Sequence, residues 1–399
     1  MAPETQKLTA KLNRNIPILF AVEFLLELQF FFPVAILVFQ GLTGSYAIAM
    51  NIIALGWIAA ALFEVPTGML SDRLGRKMTL ISSNFALIAA VGCYALPGYA
   101  GLPVYWLFVG SVLHGLCFSL WSGADLALLY ESLAIDNRAD RLPVLLGRLR
   151  AMTQIGLTTA GVAAGGLLLL EFSYQDLIEL TLIPCFAGLI FAFFIVEPRR
   201  DVATDQPRGR AGEAVRLILE NPKIRWLALA TVIENGIGRA SFALAPGFIA
   251  LVWPTWLVPF YRSGQNALGA VGFWISGLVV RRTGPYKTQL AGSSLSVLLS
   301  AVAYIFATVF SPILMMLSQL SWTFTWTANN SLQQENFSDT ERATMGSAIS
   351  LLTAIVGAAA SFVVGLLADF AGPQLALIFV LIASLPAAVI YYFLFRRYR

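Results

Sequence analysis

Apolar residues fill this chain in runs long enough to cross the roughly 30 Å hydrocarbon core of a bilayer as helices. Polar residues are confined to short gaps between those runs. The pattern predicts twelve spans: 15–39, 45–70, 77–97, 103–133, 143–170 and 176–196, then 224–248, 256–280, 288–310, 312–335, 344–369 and 373–395. The longest polar break runs from Glu197 to Asn221 and is rich in charge, Pro and Gly. It divides the chain into an N-terminal six-helix bundle (1–196), a linker (197–223) and a C-terminal six-helix bundle (224–399). Within the linker, Ala211 to Glu220 reads as a short amphipathic helix on the membrane surface.

Composition agrees with an all-α polytopic membrane protein. Hydrophobic residues make up 58% and charged residues 12%, against about a quarter charged in soluble domains. The basic start (Lys7, Lys11, Arg14) precedes a run that is too long for a signal core, carries Glu23 and Glu27, and lacks a cleavage site; it reads as a retained first span. Cys93, Cys117 and Cys185 lie in apolar runs without paired spacing, so neither a disulfide nor a metal site is indicated. There is one His, no Gly-x4-Gly-Lys phosphate loop and no catalytic cluster, which argues against an enzyme and against any cofactor. All Lys and Arg except Arg239 and Arg262 fall at the termini or in or beside the loops 71–77, 134–150, 197–225, 281–287 and 336–343. The opposite loops have none, so both termini are expected on the cytoplasmic side of the cell's inner membrane. The net charge of +4 reflects this topology, with no nucleic-acid partner implied.

The sharpest motif is Gly68-x-x-x-Asp72-Arg73-x-Gly75-Arg76-Lys77, in the gap between spans 2 and 3. It resembles the loop between helices 2 and 3 of the major facilitator superfamily (MFS). Weaker repeats fall in the same order in both halves: Gly68 to Gly75 with Gly277 to Gly284, Trp121 to Asp125 with Trp326 to Asn330, and Asp140-Arg141 with Glu341-Arg342. The resemblance therefore covers the whole chain and implies two pseudo-symmetric bundles with a substrate path between them. It also implies that Gly68, Asp72, Arg73, Gly75 and Arg76 form a conformational latch near the start of helix 11, with Glu64 as a further member of the network. Ordinary positive-inside bias is the plainer reading of the same bases.

Glu64-Val-Pro-Thr-Gly68 and Ser122-Gly-Ala-Asp125 to Leu133 resemble a large bacterial group of the family with no agreed substrate. Two departures weaken a drug-antiporter assignment. Ser111 stands where proton-coupled exporters carry an Arg, and Gly161-Val-Ala-Ala-Gly165-Gly166 lacks their proline.

Charged residues inside spans cost about 2.5–3.5 kcal/mol by insertion scales, so they should face a cavity or a partner. Glu23 and Glu27 lie one turn apart in span 1, where two ionised carboxylates would repel. They are read as a proton-coupling site, with static pairing to Arg239 or Arg262 as the rival. Span 7 offers Glu234, Asn235 and Arg239, and span 10 offers Trp322, Trp326, Asn329 and Asn330. In the family, helices 1, 4, 7 and 10 line the central cavity, which makes these residues candidate cavity lining. Acids beside aromatic faces suit an organic cation, while Trp also serves ordinary packing. His114 suits a proton relay or a packing role. Asp125 suits a proton site or a structural pair with Arg148 or Arg150. The expected function is secondary active transport of a small organic solute by a monomer in the bilayer, coupled to protons by alternating access. Efflux of hydrophobic or cationic compounds ranks ahead of metabolite uptake, and a non-transporting receptor ranks last.

Overall fold

The computed structural model describes residues 12–99, 102–134, 138–198, 220–336 and 342–398. The expected surface helix at 211–220 lies outside these residues except for Glu220. Regular structure among the described residues is helical: α1 (Asn15–Glu27), α2 (Ala35–Thr43), α3 (Tyr46–Leu74), α4 (Arg76–Ala95), α5 (Tyr105–Trp121), α6 (Ala124–Ala134), α7 (Leu142–Leu169), α8 (Tyr174–Phe193), α9 (Pro222–Ile249), α10 (Val258–Thr283), α11 (Pro285–Phe306), α12 (Ser311–Asn336) and α13 (Arg342–Tyr398).

These helices make twelve spans. Eight stretches are long and apolar enough to cross a membrane, and the last of them, Met345–Arg397, is two spans joined at Gly372. The remaining three spans are α9, α10 and α12, diluted by polar residues such as Glu234, Arg262 and Asn329. On α8, Ile183, Phe186 and Ile190 stand exposed at helical spacing, an apolar stripe suited to lipid contact.

Two spans expected to be continuous are broken. In the first, Pro33 has no N–H to give the preceding turn, and Leu28 leaves the helix at φ −81°, ψ 58°. Side chains take up the freed backbone groups: Phe30 N donates to Thr181 Oγ1 at 3.0 Å, and Gln29 Nε2 to the Leu26 carbonyl at 3.0 Å. In the fourth, Ser122 turns extended and Gly123 adopts φ +83° between α5 and α6. That break interrupts the helical phase between His114 on α5 and Asp125 on α6.

The chain folds into two compact units. One comprises residues 1–33 and 55–204, the other 34–54 and 205–399. In the first unit α4 packs on α5 and α8, and α1 packs on α7 and α8. In the second, α9 and α13 share the longest seam, where Ile224, Ala228 and Val232 meet Met345 and Ile349 at one-turn spacing. Two helix starts are capped locally. Ser173 and Asp176 form a reciprocal capping box on α8, and Asn221 Oδ1 accepts from Lys223 N and Ile224 N ahead of Pro222 on α9.

Candidate functional site

Buried charge in the first unit gathers around Arg150. Glu23, 2% exposed, accepts from the Thr153 hydroxyl and from Arg150 Nη1 at 3.4 Å. The same guanidinium donates through Nη2 to Asp125 Oδ2 at 2.8 Å. Asp125 is fully buried and sits in the first turn of α6, where the helix dipole favours a negative charge. Arg150, Thr153 and Gly156 follow one another along α7. A Cβ on Gly156 would lie 2.8 Å from Glu27 Cβ and 2.8 Å from the Phe24 carbonyl, so its absence lets α7 press against α1. Glu27 is half-buried, has no hydrogen-bond partner among the described residues, and lies within electrostatic range of both Glu23 and Arg150. Two carboxylates thus share one guanidinium, with Glu27 a third acid within its electrostatic range. Glu23 Oε2 and Asp125 Oδ1 remain buried without hydrogen-bond partners among the described residues. The partner of Glu23 is Arg150, in place of the Arg239 or Arg262 considered from sequence.

The loop after α3 is held by the motif's own Asp72 together with two acids that the motif does not contain, Glu131 and Glu197. Arg76 Nη1 meets Asp72 Oδ1 at 3.2 Å and Ser71 Oγ at 2.7 Å, and its Nε meets Glu131 Oε1 at 3.2 Å. Glu197 accepts from the backbone N–H of Arg76 at 2.8 Å and of Lys77 at 2.6 Å, which caps α4 from a distant part of the chain. Gly75 has φ +95° and ψ 162°, and a Cβ there would sit 2.6 Å from the Glu197 carboxylate. Backbone conformation and space both demand glycine. Gly68 and Glu64 are exposed on α3, and the Glu64 carboxylate has no partner among the described residues, so it does not join the Arg76 network. Asp72 and Arg73 are also exposed.

A second acid performs a similar task inside the other unit. Asp369 accepts from Tyr46 N at 2.6 Å, Ala47 N at 3.1 Å and Ser45 Oγ at 2.6 Å, capping the start of α3. It lies in Gly365-Leu-Leu-Ala-Asp369-Phe-Ala-Gly372, which repeats the glycine–acid–glycine spacing of Gly68, Asp72 and Gly75. Gly372 (φ 83°, ψ 161°) matches the backbone of Gly75 as well.

Glu234 lies on α9 at a cavity of about 140 Å³ bounded by α9, α11, α12 and α13. Its carboxylate accepts from Ser293 Oγ at 2.9 Å and Gln289 Nε2 at 3.1 Å. Arg239 does not line it and lays its stem against Gly357 of α13, and Asn235 is half-buried outside the cavity lining. Trp322 lines the cavity, whereas Trp326 packs edge-on against Phe273 at 5.3 Å and Asn330 bonds back to the Trp326 carbonyl. Arg262 is buried without an acid among the described residues. It donates to Gln265 Oε1 at 2.9 Å and to the Phe242 carbonyl, with its guanidinium 3.6 Å from the Phe242 ring centroid. His114 stacks on Phe118 at 5.2 Å, with the Tyr94 hydroxyl 3.4 Å from Nδ1.

Twelve membrane spans with ionisable side chains buried in both helical units are the build of a membrane transporter. The chain belongs to the Major Facilitator Superfamily, whose sequence profile matches residues 19–361. Solved structures agree on the fold. The nucleoside transporter NupG superposes with a TM-score of 0.77 at 14% identity, covering 98% of this chain and 100% of that one. The D-xylose-proton symporter gives 0.70 at 13%, covering 98% of each. A bacterial homologue of the human lysosomal transporter Spinster gives 0.73 at 15%, covering 99% of this chain and 98% of that one. No curated protein matches the sequence.

Proposed function

We propose that this transporter moves a small organic solute across the cytoplasmic membrane by alternating access, with protons coupled at Glu23 and Glu27. The supporting observation is the imbalance of three carboxyl groups around Arg150. Asp125 and Glu23 occupy its two amino groups, and Glu27 has no donor among the described residues. Fully ionised, the cluster would set three negative charges against one positive inside a span, so at least one proton on Glu27 or Glu23 is part of its stable state. Releasing that proton on one side and recovering it on the other gives a coupling step. Both termini lie in the cytoplasm, and Gly68, Asp72, Arg73, Gly75 and Arg76 act as the latch on that side.

The cargo is a hydrophobic or cationic compound moved outward. The second reading is inward transport of a small polar metabolite, favoured by the hydroxyl-rich lining of the cavity at Glu234. Transport in proteoliposomes with and without a pH gradient tests the coupling. The Glu23→Gln, Glu27→Gln double variant should insert and bind cargo yet lose its response to the gradient. Full gradient-driven transport by that variant would refute coupling at this pair. The sign of the gradient that drives accumulation gives the direction.

A further inference from the structure

We propose that the cavity beside Glu234 binds a small organic ammonium ion. The cavity lies wholly within the second unit. One wall is α11, where Ser293, Ser296, Ser300 and Tyr304 recur every three or four residues and form a hydroxyl stripe within a membrane span. Opposite stands α9 with Glu234, and α12 contributes Trp322. Among the described residues no Lys, Arg or His lines the cavity. Ser293 and Gln289 each give the carboxylate one hydrogen bond, and neither brings a positive charge.

That composition selects the ligand. An anion would meet a carboxylate with no base to offset it, and an apolar molecule would displace solvent from the carboxylate and the hydroxyls without supplying any charge or hydrogen bond in its place. A cation supplies the missing charge. Hydroxyl oxygens accept from its N–H groups or pair with its own hydroxyls, and an aromatic ring stabilises a desolvated ammonium. Volume narrows the class further. Pockets for drug-sized ligands measure about 300–1,000 Å³, whereas this cavity measures about 140 Å³ and suits a smaller molecule. The site therefore takes an amine or quaternary ammonium of amino-alcohol size. Its assignment as the transported cargo rests on the transporter reading; its binding does not.

Isothermal titration of the full-length protein in detergent tests the site, with choline as probe and 3,3-dimethylbutan-1-ol as its uncharged counterpart. Choline should bind saturably, and the neutral alcohol at least about tenfold more weakly. Glu234→Gln should weaken choline by a similar factor. Ser296→Leu fills the cavity and keeps the carboxylate, and should do the same, so the test survives if Glu234→Gln does not fold. Equal binding of alcohol and choline, undiminished choline binding in either folded variant, or no choline binding to the folded parent would overturn the proposal. Flux of labelled choline into proteoliposomes separates the two readings. Binding that depends on Glu234 without flux defeats the cargo role and leaves the site intact; flux indifferent to Glu234→Gln defeats the site.

Discussion

Arg150 holds two buried carboxylates from different helices, so its removal is felt more widely than that of either acid. With Arg150→Met, Glu23 and Asp125 lose their shared donor inside the unit. The cost is expected on the order of 3 kcal/mol, at the low end for broken buried pairs because the Arg150 side chain is about half exposed. Thermal unfolding should show it, and adding Glu23→Gln and Asp125→Asn should recover most of the loss. A triple variant as unstable as the single one would mean that Arg150 acts through packing. Gly75 makes a second prediction at this scale. Its φ of +95° and the 2.6 Å approach of Glu197 should make Gly75→Ala cost about 1–3 kcal/mol. Gly147→Ala, on α7 with nothing within 4 Å of the added methyl, should be neutral or stabilising in the same melt.

Among elements, the broken spans matter most. The break at Pro33 coincides with the boundary at which the chain passes from one compact unit to the other. Residues 34–54 precede the first unit's α4–α8 in sequence but belong to the second unit by packing. Asp369 is one of their fastenings, and a Cβ on Gly365 would lie 2.6 Å from Ala47 Cα. Asp369→Ala should cost about 1 kcal/mol as a lost cap, so the amides of Tyr46 and Ala47 should exchange roughly fivefold faster. Asp369→Asn, which keeps an acceptor, should fall between. Unchanged exchange at both amides would show that the Gly365 contact alone holds the segment.

Across the whole molecule, the one-sided placement of Lys and Arg governs orientation. Cysteines placed in the loops 97–103 and 197–221 should label from opposite faces of the membrane. Labelling of both from one face would reverse the assignment of the even or odd spans.

What the sequence determined by itself was the class, the number of spans and the family. Each rests on local information: the length of an apolar run, the bases in a loop, a ten-residue motif. It also marked Glu23, Glu27, Glu234 and the Gly75 loop, because an acid in hydrocarbon or a glycine in a tight turn is costly wherever the rest of the chain goes. Breaks in spans were half legible. Pro33 and Gly123 are visible, yet whether a proline kinks a span or ends it depends on donors such as Thr181 lying nearby. Pairing was decided only by the tertiary structure. Arg150 is 127 residues from Glu23, and Glu197 is 121 from Arg76. No periodicity links residues that far apart, and several bases were equally eligible by charge. The Asp369 cap had a signal in the repeated glycine–acid–glycine spacing, but only the fold shows which helix start it meets. Of the cavity at Glu234 the sequence marked Glu234 and Trp322 alone, because its walls come from four helices and become one surface only when those helices pack.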